Sequence, residues 1–235
     1  MNDVGIHAIW GAPRSGKTTL AVNLAHAVSR SGKSVCLISP EPYSELSAIF
    51  GVSIPRNRSL PAAIRGFDNL KQTILKIGNL LYILAAPTNA DAFDDSYSDE
   101  QVKLLLELCD ITFDNVVVDC PSEANSLTAA WAMSKASSVP LCMGGQTSCA
   151  VWYSANARAI KALGNKVFYV STVTTSDYDY NAMHELLEVS PTVTIPHIAQ
   201  ATLLQNERRL IYGLVGKKGR LYREALSQIY EVMNT

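Results

Sequence analysis

The chain has 235 residues, of which 48% are hydrophobic and 17% are charged, and its formal net charge is -1. A chain of this length and composition can bury a core without disulfides or structural metals. The near-zero net charge excludes a global electrostatic attraction to nucleic acid or acidic lipid, so such a partner would have to meet a local patch.

The five cysteines form none of the close pairs that zinc or redox sites use, and free cysteine is among the most buried residue types. We therefore expect reduced core residues at Cys36, Cys109, Cys120, Cys142 and Cys149. The four histidines are equally scattered, so no metal site built from protein side chains alone is predicted. The first residues lack a secretory pattern and no apolar stretch is long enough to span a bilayer, so a cytoplasmic location is expected.

Short aliphatic runs alternate with helical patterns along the chain. The runs are 6–10, 35–38, 80–84, 116–118, 140–143, 167–170 and 192–195. Runs that lack strict alternation and are separated by helices are typical of parallel strands buried on both faces. We predict an α/β fold, with a mostly parallel central β-sheet and helices on both faces, in a single domain over residues 1–235.

Two of the predicted helices have clear boundaries. Apolar residues at intervals of four predict a helix over 18–29, which Gly32 would end in a left-handed conformation. Ser98 and Gln101 have the spacing of a capping box that opens a helix over 99–109. The acidic stretch before it, 91–97, is predicted to be a solvated loop, with a partner-facing edge as the alternative.

Residues 11–18, GAPRSGKT, satisfy the pattern G-x-x-x-x-G-K-[ST] between a predicted strand and a predicted helix. The glycines let backbone N–H groups turn inward onto phosphate oxygens, and the positive end of the following helix adds its field. Lys17 would reach the β and γ phosphates, and the Thr18 hydroxyl would bind magnesium. The alternative is a glycine-containing turn with an incidental lysine. The predicted nucleotide-binding residues of the loop are Gly11, Ala12, Pro13, Arg14, Ser15, Gly16, Lys17, Thr18 and Thr19.

A phosphate loop of this kind needs a carboxylate on a neighbouring strand to orient magnesium and its waters. A run of three valines ends at Asp119, immediately before Cys120 and Pro121. The carboxyl end of a central parallel strand lies beside the crevice where such sheets bind ligands. Asp119 is therefore the predicted second magnesium ligand, with a simple loop cap as the alternative. Asp114 precedes the strand and is the weaker candidate.

The sequence resembles the MinD and ParA ATPases. Matching segments occur in the family's order at 18–25, 32–38, 57–66, 80–84, 116–121 (the family's hhhDxP switch) and 195–197. The resemblance covers nearly the whole chain. Among the members of this family, the absence of a DNA-binding extension and the middle segment make the sequence look most like the TadZ and CpaE branch, which positions pilus and secretion machinery.

Membership would imply ATP and Mg²⁺ at the loop and a nucleotide-dependent homodimer. Such a dimer would act as a switch that organises a cellular machine through a protein partner that the sequence does not identify. The chain has no N-K-x-D segment for guanine, so ATP is the expected nucleotide.

The loop departs from the family's form K-G-G-x-G-K-[ST]. Ala12 replaces the first lysine, and Pro13 and Arg14 replace the two glycines. A methyl group cannot neutralise a developing phosphate charge, so hydrolysis by the family's usual route is not implied. Arg14 is either a substitute partner for phosphate or a solvent-facing loop arginine.

Two further positions differ from the family. Glu41 lies near the second acid of the family's D-P-Q motif, and it either orients the attacking water as a base or is the exposed acid of a stiff turn. Thr172 replaces an asparagine that contacts adenine in the family. Recognition of the base is then expected to use backbone atoms near Pro196.

The leading interpretation is an ATP-binding switch with slow hydrolysis, whose catalytic residues are Lys17, Glu41 and Asp119. A hydrolysis-deficient nucleotide-binding scaffold is the alternative. A phosphotransferase ranks last: some bacterial tyrosine kinases resemble the same family, but the tyrosines of this tail are spread through a helical pattern. These tyrosines are Tyr212, Tyr222 and Tyr230.

The carboxyl-terminal helix carries an apolar stripe, predicted to face the core. The stripe contains Leu221, Ala225, Ile229 and Met233, widened by Leu226. The basic residues 217–220 before it are predicted to form a solvated turn, with peripheral contact to acidic lipid or a protein as the alternative. No strong nucleic-acid signal is present.

Overall fold

The computed structural model describes residues 5–66, 69–88, 97–123 and 126–235. The strands within these ranges are β1 Gly5–Gly11, β2 Val35–Ile38, β3 Leu75–Lys76, β4 Leu81–Leu84, β5 Asn115–Asp119, β6 Val139–Met143, β7 Val167–Thr172 and β8 Val193–Ile195. The helices are α1 Lys17–Arg30, α2 Leu46–Phe50, α3 Leu60–Arg65, α4 Leu70–Thr73, α5 Asp99–Thr112, α6 Leu127–Lys135, α7 Thr147–Leu163, α8 Tyr180–Leu186, α9 Ala201–Asn206 and α10 Gly216–Met233. The predicted acidic loop lies outside the described residues, apart from Tyr97.

The strands form a sheet of order β3-β4-β2-β5-β1-β6-β7-β8. In this order every pair of neighbouring strands is parallel except the first, because β3 pairs with β4 antiparallel. The predicted parallel sheet is confirmed, whereas β3 was not predicted because its two residues carry no strand pattern. β1 lies at the centre between β5 and β6, so the loop that follows it opens onto the middle of the carboxyl edge of the sheet.

Successive residues of the central strands belong to opposite hydrophobic cores. Ile6 and Ala8 of β1 pack into one core with residues of α5 and α6, whereas Ile9 packs into the other with residues of α1 and α10. In β5 the middle valine, Val117, faces the second core and its two valine neighbours face the first. Burial on both faces explains the lack of alternation in the sequence and confirms the predicted helices on both sides.

The predicted ends of two helices are close to those observed. Gly32 follows α1 with a φ of 90°, as a glycine that ends a helix does. At α5 the Ser98 hydroxyl accepts a hydrogen bond from the Gln101 N–H (3.2 Å), and the Gln101 amide oxygen accepts one from the Ser98 N–H (3.0 Å). α5 runs past its predicted end to Thr112, because the buried Phe113 holds the last turn against the core.

The predicted stripe of the carboxyl-terminal helix is wrong at one position. Leu221 is 39% exposed, and its neighbour Tyr222 enters the core at 2% exposure instead. The buried face of α10 consists of Gly219, Tyr222, Ala225, Leu226, Ile229 and Met233. Gly219 sets this rotation, because it packs on the Leu214 carbonyl with no room for a Cβ atom.

The basic residues 217–220 also differ from their prediction. They lie in the first turn of α10, and the lysines and arginine are exposed. The helix starts this early because the Arg223 guanidinium holds the incoming chain, donating to the carbonyls of Tyr212 (2.9 Å) and Leu214 (2.7 Å). Such a contact between a helix and the preceding loop has no local sequence signature.

All five cysteines are free and buried, as predicted. Among the residues that the structure describes, none of the helices combines the length and the apolar character that crossing a membrane requires.

Candidate functional site

The loop between β1 and α1 depends on two glycines. Gly11 has a φ of 149° and packs on the Cys142 carbonyl of β6, where a Cβ atom would have no space. Gly16, immediately before α1, is in the left-handed conformation with a φ of 81°. Only glycine adopts both conformations at little cost, so these residues curl the chain and direct the first turn of α1 towards the crevice.

The curled loop is held by a residue of β7 and by a residue at the start of α7, and it contains one strained residue. The Thr172 hydroxyl of β7 donates to the Ser15 carbonyl, and the Gln146 amide nitrogen lies 3.4 Å from the Arg14 carbonyl. Arg14 itself is left-handed, with a φ of 59°, which costs a non-glycine residue about 1 kcal/mol. Its side chain is exposed at the mouth of the loop. Either role predicted for Arg14 stays open in this position.

Lys17 crosses the inside of the loop and is 9% exposed. Its ammonium group donates to the Ala12 carbonyl (3.2 Å) and to the Ser122 hydroxyl (2.7 Å). The Ser122 carbonyl in turn accepts a hydrogen bond from the Trp152 indole (2.9 Å), and the Trp152 ring meets Trp10 edge to face with centroids 4.8 Å apart. The loop after β5 is therefore tied both to the lysine and to the core.

Thr18 and Asp119 meet across the crevice. The Thr18 hydroxyl donates to one carboxylate oxygen of Asp119 at 2.8 Å. The other oxygen is buried without a hydrogen-bond partner in the described part of the chain, and the residue is only 2% exposed. Burial raises the pKa of Asp119 to about 7, although the hydrogen bond from Thr18 and the charge of Lys17 act in the opposite direction.

This pair of ligands fits a hard divalent cation. Mg²⁺ is held through one or two protein oxygens together with phosphate oxygens and waters, and an unused carboxylate oxygen beside a hydroxyl offers that set. Across residues 5–66, 69–88, 97–123 and 126–235, no group of three histidine, cysteine, aspartate or glutamate side chains could hold a metal by itself. A cation at Asp119 would thus depend on the phosphates of a nucleotide.

Glu41 lies partly buried in the loop after β2. Its pKa is raised, first by burial and next by the negative charge of Glu123, while the charge of Lys17 opposes the rise. Glu41 therefore lies within electrostatic reach of the phosphate loop. Both roles predicted for it, the orienter of water and the exposed turn acid, stay predictions.

A cavity of about 190 Å³ begins where the loop joins α1. Gly16 and Thr19 line one end, and the predicted residues Thr172 and Pro196 line its walls. The Thr172 hydroxyl also lies 3.0 Å from the Met143 carbonyl, so this hydroxyl already has two backbone carbonyls, those of Ser15 and Met143, as hydrogen-bond partners. The position of Thr172 indicates that it supports the loop, while its predicted part in binding a base stays a prediction.

The structure adds polar residues that the sequence did not single out. These are Ser122 beside Lys17, Gln146 beside the loop, and Thr174, Thr202 and Gln205 in the 190 Å³ cavity. Ser122 lies three residues after Asp119 and directly follows the predicted switch, so this motif could have pointed to it. The others come from elements distant in the sequence and have no motif of their own.

Two sets of sequence candidates lie away from this site. The Asp114 carboxylate, before β5, accepts hydrogen bonds from the backbone and hydroxyl of Ser34, both at 2.7 Å. The tail tyrosines pack: Tyr222 is buried, and the Tyr230 hydroxyl lies 3.4 Å from the Asn115 side chain. Tyr212 meets a histidine ring with centroids 5.2 Å apart. These contacts favour packing over a role in phosphate transfer.

Known nucleotide-binding proteins resemble this chain in sequence. The sequence pattern of the CobQ/CobB/MinD/ParA nucleotide binding domain matches residues 14–189. The septum site-determining protein MinD of Bacillus subtilis (strain 168) is 29% identical over 111 residues, a stretch that spans 46% of this chain and only 41% of that protein.

Solved structures extend the likeness in fold to nearly the whole chain. MinD of Pyrococcus horikoshii OT3, complexed with Mg-ADP, superposes with a TM-score of 0.75 at 19% identity and covers 98% of this chain and 97% of its own. The ParA family ATPase of Chlorobium tepidum TLS superposes with a TM-score of 0.78 at 12% identity, over 96% and 98% of the two chains. At these identities the superpositions establish the fold alone. The resemblance to MinD and ParA is confirmed by the family match over residues 14–189, and the TadZ and CpaE branch is not confirmed.

Proposed function

Because the chain belongs to the CobQ/CobB/MinD/ParA nucleotide-binding family, we propose that it is an ATP-binding molecular switch. In this proposal it hydrolyses ATP slowly, and the bound nucleotide controls self-association and the affinity for a protein partner of a positioned cellular machine. The observation that carries the proposal is the contact of Thr18 with a buried Asp119 whose second oxygen has no partner within the described residues, directly beside Lys17.

The residues divide the binding of MgATP between them. The loop N–H groups and Lys17 would hold the β and γ phosphates, and the nucleoside would lie in the cavity beside Thr172 and Pro196. Thr18 and Asp119 would hold Mg²⁺, which when bound neutralises phosphate charge and orders its waters. The cation would relieve the burial penalty on the Asp119 carboxylate, since an opposite charge favours the ionised form.

Glu41 is the proposed proton acceptor for the attacking water. A carboxylate whose pKa is raised accepts a proton more readily than one at its ordinary value, and Glu41 has that shift. The proposal assigns Lys17 the task of stabilising charge on the phosphates.

The switch would act through the loop after β5. Lys17 donates to the Ser122 hydroxyl at 2.7 Å, so a phosphate that attracts the lysine competes with this contact. Loss or retention of the contact would give the loop two arrangements, with and without the γ phosphate. A loop that changes in this way alters the surface that a second copy or a partner meets.

One observation favours the alternative, a nucleotide-binding scaffold without hydrolysis. Ala12, in the place of the family's loop lysine, is fully buried and presents only a methyl group. Arg14, two residues further along the loop, is the other charged residue besides Lys17, and its side chain is exposed. A scaffold would retain MgATP affinity and show no turnover.

Calorimetry with MgATP tests the binding. We expect Lys17→Ala to weaken the affinity at least about 100-fold, because an ammonium group that pairs with phosphate contributes several kcal/mol in a buried site. Lys161→Ala, an exposed lysine of α7, is the matched control and should bind as the parent does. A parent protein that takes up neither adenine nor guanine nucleotide in the presence of Mg²⁺ would contradict the proposal.

Two further measurements separate the switch from the scaffold. Release of phosphate by the parent but not by Lys17→Ala supports hydrolysis, and equal background rates support the scaffold. Sedimentation in ADP and in a non-hydrolysable ATP analogue then tests self-association. An identical sedimentation coefficient in both nucleotides would remove the proposed dimer switch.

A further inference from the structure

A cavity of about 340 Å³ opens beside the phosphate site, and we name it the switch cavity. Its walls come from the loop after β2, the start of α3, the residue Ala86 after β4, Tyr97 before α5, the loop after β5 and the start of α6. The apolar part of the wall includes Pro40, Pro42, Leu60, Pro61, Pro121 and Leu127. Among the residues described, those that line it include none from the phosphate loop, and the cavity adjoins the proposed place of the nucleotide through Glu41.

The charged groups in this wall are both acidic. Glu41 and Glu123 line the switch cavity, and the described residues of its wall include no lysine, arginine or histidine. The two carboxylates repel each other, since the charge of Glu123 adds to burial in raising the pKa of Glu41. The positive charge of Lys17, which lies outside this wall, offsets the repulsion only in part, because the pKa of Glu41 is still raised.

Two buried hydroxyl groups also line the cavity. Ser39 is 1% exposed and Thr128 is 5% exposed, so both residues are held firmly in the wall. Their hydroxyl oxygens can accept hydrogen bonds as well as donate them. The wall therefore combines two carboxylates with two hydroxyl groups.

We propose that the switch cavity receives the cationic side chain of an arginine in a partner protein, between Glu41 and Glu123. A guanidinium group carries five N–H donors in a plane, and two carboxylates with two hydroxyl oxygens supply acceptors for them. The proline and leucine wall fits the methylene stem, which packs against apolar surface while the head remains paired.

A bare divalent cation fits the same cavity less well. Mg²⁺ and similar ions need several oxygen ligands at fixed geometry, and the described residues bring together no three carboxylate, histidine or cysteine side chains. A cavity of 340 Å³ also exceeds what one ion and its first waters fill. Volume, apolar wall and paired acids together favour a side chain over an ion.

Occupancy would have a consequence for the phosphate site. Glu41 belongs to the loop after β2 and Glu123 to the loop after β5, so one arginine would bridge both loops. This consequence rests on the proposed function, but the binding itself does not. The binding is therefore tested on nucleotide-free protein.

The test is a titration of ¹⁵N-labelled protein, without nucleotide or Mg²⁺, with the peptide acetyl-Leu-Arg-Leu-amide. The matched probe replaces arginine by citrulline, which keeps the shape and removes the charge. We expect amide shifts at the residues of the switch cavity and at least tenfold weaker binding of the citrulline peptide. Equal affinities for the two peptides would overturn the proposal.

Variants locate the binding. Glu123 is exposed, so Glu123→Gln should fold as the parent does and weaken the arginine peptide at least fivefold. Thr128→Val keeps the shape of the side chain and should weaken binding about threefold, the loss of one hydrogen bond. Glu231→Gln, an exposed acid of α10, is the control and should change nothing. Unchanged binding in Glu123→Gln contradicts the proposed location.

Two further measurements complete the test. A titration with MgCl₂ alone that shifts the same amides at submillimolar concentration would overturn the arginine site in favour of a metal site. Calorimetry with MgATP on the same samples reports the phosphate loop separately. Peptide binding without nucleotide binding contradicts the proposed function only, and the reverse contradicts the switch cavity only.

Discussion

Two aspartates flank β5, and their surroundings are opposite. Asp114, before the strand, accepts two hydrogen bonds from Ser34, and these lower its pKa. Asp119, at the other end, is buried with one oxygen unpaired in the described residues, and burial raises its pKa to about 7. The amino edge of the sheet thus holds a carboxylate that stabilises the fold, while the carboxyl edge holds one that destabilises it. Uncompensated charge is concentrated where the ligand is proposed to bind.

Of the substitutions that test this difference between the two aspartates, the largest change in stability is expected at Asp119. Its folded pKa of about 7 lies above the ordinary value of 3.8, so the folded protein binds the proton more tightly than the unfolded chain does. The contribution of Asp119 to the free energy of unfolding is fully present below about pH 4. It is lost as the pH rises through about 7, and the total loss is up to about 4 kcal/mol. Asp119→Asn should therefore stabilise nucleotide-free protein at pH 8 and show little advantage at pH 4.

Urea unfolding at the two pH values measures this difference. The same substitution should weaken MgATP binding in calorimetry, because a neutral amide is a poor ligand for Mg²⁺. A variant that is less stable than the parent at pH 8 would show that the carboxylate is not strained in the folded protein.

An intermediate effect is expected at Asp114. Asp114→Ala removes the acceptor of both Ser34 hydrogen bonds and should lower the free energy of unfolding by about 1 to 2 kcal/mol. Because the folded pKa of Asp114 is lowered, its contribution is present above the ordinary value of 3.8 and disappears as the pH falls through the folded value. Urea unfolding at pH 7 checks the loss, and MgATP affinity should stay unchanged.

Ser34→Ala is the matched partner for this prediction. It should destabilise the protein similarly, and the double variant should lose less than the sum of the two single changes. Additive losses would mean that the two side chains do not stabilise the fold through their mutual contact.

The smallest expected effect concerns Arg14 on the carboxyl edge. Its left-handed backbone, with a φ of 59°, suits glycine better than arginine. Arg14→Gly should stabilise nucleotide-free protein by about 0.5 to 1 kcal/mol, since relief of strain exceeds the entropy gained by the unfolded chain. Thermal unfolding checks this result. Arg14→Ala removes the charge but keeps the strain, so a stabilised alanine variant would assign the effect to the guanidinium instead.

The parallel sheet was predictable because its signal is local and repeated. Each aliphatic run reports burial on both faces, as Val117 and its neighbours show. The curled loop after β1 and the position of Asp119 at the end of β5 were predictable, because short segments of the sequence contain the two glycines, the start of the helix and the end of the strand. β3 escaped prediction because two residues, Leu75–Lys76, cannot display a period.

The unpredicted parts depend on contacts between distant segments. Leu221 and Tyr222 exchange places because Gly219 packs on the Leu214 carbonyl, a contact that only the folded chain creates. Gln205 reaches the 190 Å³ cavity from α9, which shares no motif with the loop. The switch cavity likewise depends on six segments that meet only in the folded protein.

The indole of Trp152 is joined to the Ser122 carbonyl and lies against Trp10 at the end of β1. Indole emission shifts in wavelength and intensity when its N–H partner or its neighbouring ring changes. A displacement of the loop after β5 would therefore change the intrinsic fluorescence of the protein. The chain carries its own optical probe of this loop, and no label has to be attached near the phosphate site.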